Sequence, residues 1–98
     1  MPAAARVGDA ITTGHGCDVA TTIAGPGAPT VLINNLPAAR GGDLTIPHTI
    51  GTPPFCSTHT SPIVSSSKVL INGLPAARVG DSVCAGTITS GSPTVQIG

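Results

Sequence analysis

Three histidines, His15, His48 and His59, and three cysteines, Cys17, Cys56 and Cys84, are the residues of this 98-residue chain with the chemistry to ligate a transition metal. Imidazole nitrogen and thiolate sulfur are the donors that Zn²⁺ prefers, usually four at a time in a tetrahedron. A set filled by four protein ligands is structural, because no position is left for substrate. Spacing alone does not single out the four. The chain has no Cys-x-x-Cys, and Cys56-x-x-His59 is its only pair at that spacing. His15, His48, His59 and Cys84 make one set; Cys56 or Cys17 in place of a histidine makes another.

A repeat ranks these sets. Residues 31–43 (VLINNLPAARGGD) and 69–81 (VLINGLPAARVGD) match at 11 of 13 positions. The N-terminus carries the second half of the block, Ala4-Ala5-Arg6-Val7-Gly8-Asp9, and the C-terminus carries the first half, Val95-Gln96-Ile97-Gly98. Pro29-Thr30 and Pro93-Thr94 lead into Val31 and Val95 alike. Two whole copies and two complementary halves make three units if residues 94–98 pair beside 4–9, which predicts a closed, pseudo-threefold object without exposed sheet edges. His15 follows Asp9, His48 follows Asp43 and Cys84 follows Asp81, so each unit places one ligand at an equivalent site near the axis. His59, in the longer middle connection, supplies the fourth. Cys17 and Cys56 are then non-ligand thiols. An odd cysteine count and an N-terminus with neither a basic nor an apolar leader predict no signal peptide, a reducing cytosol and no disulfide framework.

The elements that position these residues are short strands. Val31/Ile33, Val69/Ile71 and Val95/Ile97 alternate with Leu32, Leu70 and Gln96. Gln96 marks the outer face, so the Val and Ile positions are expected to point inward. Asn34-Asn35 and Asn72-Gly73 are hairpin turns, Pro37 and Pro75 disfavour helix, and no segment has a sustained 3.6-residue period. The fold class is all-β with near-zero helix: a small pseudo-threefold structure of short strands and hairpins, one domain over 1–98. Each unit closes on Arg-x-Gly-Asp; Arg6/Asp9, Arg40/Asp43 and Arg78/Asp81 hold six of the eight charges. Three identical copies suit a structural turn with an internal ion pair better than an active site. The spacing from Arg6 to Arg40 is 34 and from Arg40 to Arg78 is 38, and the excess falls in residues 49–68. Phe55, the only aromatic residue in that stretch and in the chain, is expected to pack.

Composition excludes other classes. Net charge is zero and charged residues are 8%, against about 25% in an average chain. Without a basic patch or an aromatic platform, nucleic acid is no partner. No apolar run approaches the roughly 18 residues of a membrane span, so stable membrane insertion is not expected. A chain of this length buries only about 60–65% of its unfolded surface, and a core of Val, Ile, Leu and Ala gains from a metal staple.

The blocks Pro37-Ala38-Ala39-Arg40 and Pro75-Ala76-Ala77-Arg78, with Ala-Ala-Arg-Val-Gly-Asp at both ends of the series, resemble the PAAR-repeat family over the whole chain. The resemblance implies a β-structured cone, one monomer of which caps a trimeric β-helical spike: the VgrG spike of type VI secretion systems or the spike of a contractile phage tail. It implies one structural Zn²⁺ near the apex, held by positions that match His15, His48, His59 and Cys84. The middle connection departs from the compact His-Cys-Pro-x-His-Gly form of relatives. The absence of a flanking effector domain implies a bare tip whose toxin or effector is a separate partner. It also implies a protein that is cytoplasmic before assembly and then delivered at the spike tip, or held in a virion tail. Two other readings compete: a small zinc hydrolase, which needs an open metal position and a general base, and a self-standing repeat surface, for which the threonines form no sustained rank.

Overall fold

In the computed structural model, which describes residues 2–97, twelve short strands run in the order β1 (Ala10–Thr12), β2 (Ala20–Gly25), β3 (Leu32–Ile33), β4 (Leu36–Pro37), β5 (Leu44–Thr45), β6 (His48–Thr52), β7 (Phe55–His59), β8 (Ile63–Val64), β9 (Leu70–Ile71), β10 (Leu74–Pro75), β11 (Ser82–Val83) and β12 (Gly86–Ile88). No described residue is helical. The molecule is elongated, 40 × 24 × 22 Å.

The three units close as the repeat predicts. Leu32 pairs with Pro37 and Leu70 with Pro75. At the equivalent position Gln96 pairs with Ala3, so the third hairpin is assembled from the two termini. Gly98, the last residue of that half-repeat, lies outside the described residues, as does Met1. The intact hairpins turn through Asn34-Asn35 (φ 52° and 67°) and Asn72-Gly73 (48° and 83°), the positive-φ pairs that match hairpin twist. Adjacent units are then stitched in a ring. Arg6 bridges Ala38, Arg40 bridges Ala76 and Arg78 bridges Ala4. At its centre Ala39 N–H donates to Ala5 C=O, Ala77 N–H to Ala39 C=O, and Ala5 N–H to Ala77 C=O, at 2.9–3.0 Å.

Each Arg-x-Gly-Asp segment leaves this ring through a tight turn. The Asp N–H donates to the Arg C=O at 3.0–3.1 Å, and the Asp carboxylate accepts the Arg N–H at 2.7, 2.8 and 2.8 Å. The glycine at the third turn position takes φ of 92–96° in all three copies, as a type II turn requires. The guanidinium pairs with the same carboxylate. These six residues are structural turns. Beyond them, a sheet ordered β5-β2-β1-β12-β11-β8 wraps around the axis, and the Leu44–Pro62 bridge brings its two ends together.

The core has two stacked layers. Ala4, Ala38 and Ala76 pack with Ile33, Ile71 and Ile97. Ala5, Ala39 and Ala77 pack with Ile11, Ile23, Ile63, Val83 and Ile88. The expectation that every alternate Val and Ile points inward holds for the isoleucines alone. Val69 and Val95 are exposed, and Val31 is half-buried, because each precedes the paired residues at the open end of the hairpin layer. Phe55 is 84% exposed rather than packed. It sits at the turn of the β6–β7 hairpin, which pairs with no other strand among the described residues.

The axial alanines have no room to grow. Ala39→Leu is expected to destabilise the fold by about 1–3 kcal/mol or more through overpacking, read as a lowered midpoint in chemical denaturation. An unchanged midpoint would show that the ring tolerates bulk.

Candidate metal centre

The Ala5/Ala39/Ala77 layer carries Cys84 against it, and the ligand side chains gather there. His15 comes from the loop after β1. Thr13, fully buried, shapes this loop: its hydroxyl donates to the Asp18 carbonyl and accepts the His15 N–H at 3.1 Å. The Ala85 N–H donates to the Thr13 carbonyl at 3.1 Å, tying the loop to the turn that holds Cys84. Cys84 occupies that two-residue turn between β11 and β12 with φ 57°, a conformation uncommon for a residue bearing a Cβ. His48 and His59 face each other as the first pair of the β6–β7 ladder.

The structure brings all four together. One ligand atom from each of His15, His48, His59 and Cys84 lies within 4.8 Å of every other. Cys84 Sγ is 3.4 Å from His48 Nε2 and 3.8 Å from His59 Nε2. The two Nε2 atoms are 2.8 Å apart. Bonds of about 2.0–2.1 Å to nitrogen and 2.3 Å to sulfur in a tetrahedron give edges of about 3.3–3.6 Å, which the two sulfur separations approach and the 2.8 Å between the Nε2 atoms undershoots. Two further observations fit a cation. His15 Nε2 is buried without a hydrogen-bond partner, which leaves a lone pair or a proton unmatched. His48 Nδ1 lies 3.0 Å from the Ile46 carbonyl, a group that only accepts. Nδ1 therefore carries a proton, which makes Nε2 the atom that can offer a lone pair, as in metal-bound histidines oriented by a second partner. The pKa of His59 is pushed below 6.5, first by burial and then by the charges of His48 and His15, which favours the neutral, ligating form. The group could hold one metal ion.

Cys17 and Cys56 correct the sequence expectation. They are joined in a disulfide, with Cα atoms 6.1 Å apart across 39 residues, within disulfide range. The His15 loop lies along the hairpin, so the two cysteines meet although the odd count and the assumed reducing compartment argued otherwise. Cys84 is the odd residue, left free for the cluster. A cross-link of that span stabilises by about 4 kcal/mol in the chain-entropy model. The same loop is held by Asp18, which sequence reasoning did not single out. Its Oδ2 accepts the Thr49 N–H and the Thr49 hydroxyl, both at 2.8 Å, and Gly16 N–H donates to Gly51 C=O at 3.1 Å. A lone aspartate beside a histidine loop carries no signal in a sequence.

Fold and site together define a small all-β, pseudo-threefold domain with a three-histidine, one-cysteine cluster beyond its axial layer. The chain belongs to the PAAR motif family, whose model matches residues 13–83 and 56–98. No curated protein matches the chain.

Two outcomes are expected. Purified protein binds about one metal ion per chain, and Cys84→Ala or His15→Ala lowers both metal content by elemental analysis and the melting temperature. Full occupancy in both variants would overturn the site. Asp18 is held below its ordinary pKa near 3.8, chiefly by the Thr49 N–H and then by the Thr49 hydroxyl. Its contribution is therefore present above pH 3.8 and lost as pH falls below it. In metal-free protein, Asp18→Asn lowers the melting temperature at pH 7, and the difference from wild type closes toward pH 3. A gap that stays constant across that range would rule this out.

Proposed function

We propose that this protein is a structural tip that caps a trimeric β-helical spike, of the VgrG or phage-tail kind, and that its metal is a structural Zn²⁺. The observation that carries the reading is the end away from Cys84. There three equivalent hairpins, one built from the termini, surround the Ile33/Ile71/Ile97 layer and expose Leu32, Leu36, Leu70, Leu74, Val69 and Val95. A pseudo-threefold apolar face suits a true threefold partner met end-on, since each spike subunit finds a similar surface. Short hairpins there are suited to extend the open strand edges of such a trimer. The exposed aliphatic side chains on this face suit a desolvated contact.

Four protein ligands leave no coordination position for substrate, which favours a structural metal over a hydrolytic one. A separate toxin or effector would be a second partner. The protein would be made in the cytoplasm and delivered with the spike, or retained in a phage tail.

Mixing with the C-terminal fragment of a trimeric spike from the same genome tests the reading. One chain per trimer is expected in light scattering. The Leu32→Asp, Leu70→Asp double variant should lose binding at least tenfold while keeping its metal and its melting temperature. A wild-type chain that stays monomeric beside the co-encoded spikes would overturn the capping role.

A further inference from the structure

We infer that the Cys17–Cys56 disulfide is a redox-governed clasp on the metal centre: the closed clasp retains the ion, and reduction frees the His15 loop to release it. The inference rests on the metal reading of the four-ligand cluster and is independent of spike capping.

The three histidines stand on two separate segments, and Cys84 packs on the axial layer. His48 and His59 share the base of one hairpin, whereas His15 stands on the loop that lies along it. Cys17 is two residues beyond His15, and Cys56 is three residues before His59 on β7. The bond between them therefore links the His15 loop to the strand carrying His59. An ion held by several ligands leaves stepwise, and its escape needs a detached ligand to move away before it rebinds. A short covalent tether keeps that ligand at high effective concentration. Without the tether, the loop is held to the hairpin by Asp18 on Thr49 and Gly16 on Gly51, non-covalent contacts in a half-buried to exposed segment.

The clasp is open to exchange. Cys56 is exposed and Cys17 half-buried. Opening is thiol–disulfide exchange with a low-molecular-weight thiol, two of which leave as their disulfide while the protein gains two electrons, and closure is the reverse exchange with that disulfide. One cysteine thiolate attacks a sulfur of the oxidant and displaces a thiol; the second attacks the mixed disulfide and displaces the other. The protein loses two electrons, the oxidant becomes two thiols, and the two thiol protons end on them. A chain made where thiols stay reduced would load its metal with the clasp open, and would become locked on reaching an oxidising space.

The test loads the full chain with Zn²⁺ alone and follows its release to an excess of chromogenic chelator. Oxidised wild type, wild type treated with a phosphine reductant, and Cys17→Ser, Cys56→Ser are compared. Release is expected at least tenfold faster from the last two, with the phosphine leaving the double variant's rate unchanged. Rates within twofold of oxidised wild type would overturn the clasp and leave the metal site standing. Failure of every form to bind zinc would overturn both. If the double variant does not fold, oxidised against phosphine-treated wild type decides.

Discussion

Everything in this molecule depends on three backbone hydrogen bonds that chase one another around an axis: Ala39 to Ala5, Ala77 to Ala39, Ala5 to Ala77. A cycle of this kind closes only if three chain segments approach the axis at once. That leaves space for little more than a methyl group at each, and the three alanines are almost wholly buried. The same closeness forces the chain to turn outward at once on both sides. On one side the Ala-Ala segment comes in from a two-residue hairpin turn in two units and from the N-terminal segment in the third. On the other the Arg-x-Gly-Asp turn leads out, its glycine supplying the positive φ and its aspartate accepting the arginine N–H. The repeat is the footprint of this geometry, and the scarcity of charge follows from it, since six of eight charges are spent on three turns.

Symmetry explains the scaffold, and its failure marks the site. The positions after Asp9, Asp43 and Asp81 no longer match in sequence: one unit continues into the His15 loop, one into a long hairpin, one into the tight turn at Cys84. A strictly threefold protein would offer three identical ligands or six. Here the middle unit contributes two histidines from one ladder rung, and that converts three equivalent positions into four donors.

Much of this was readable in the residues. Eleven identities in thirteen positions revealed the repeat, and the complementary half-blocks predicted pairing across the termini, found at Ala3 and Gln96. Three of the four clustered side chains, His15, His48 and Cys84, were singled out by their places after the repeat's aspartates, and His59 as the histidine that remained. What escaped prediction depends on where one irregular segment lies relative to another. Phe55 looked like core because aromatic residues usually are, but its hairpin pairs with no other strand among the described residues. Val69 and Val95 fit a strand alternation that ends one residue too soon to cover them. The disulfide joins two non-repeated segments, and no periodicity reports on such a contact.

A thin aliphatic core also determines which restraints matter. The two buried layers end at Cys84, and beyond them the chain has the His15 loop and a two-stranded hairpin, an element marginal by itself in water. No Phe, Tyr or Trp seals that region, since Phe55 faces solvent. Its order must come from bonds stronger than dispersion: the disulfide, the charge-assisted contacts of Asp18, and the metal ion the cluster could hold. A ligated ion ties Cys84, which packs on the axial layer, to histidines on both peripheral segments. It would thereby extend the rigidity of the hydrogen-bonded ring into the part of the molecule that hydrophobic burial cannot hold.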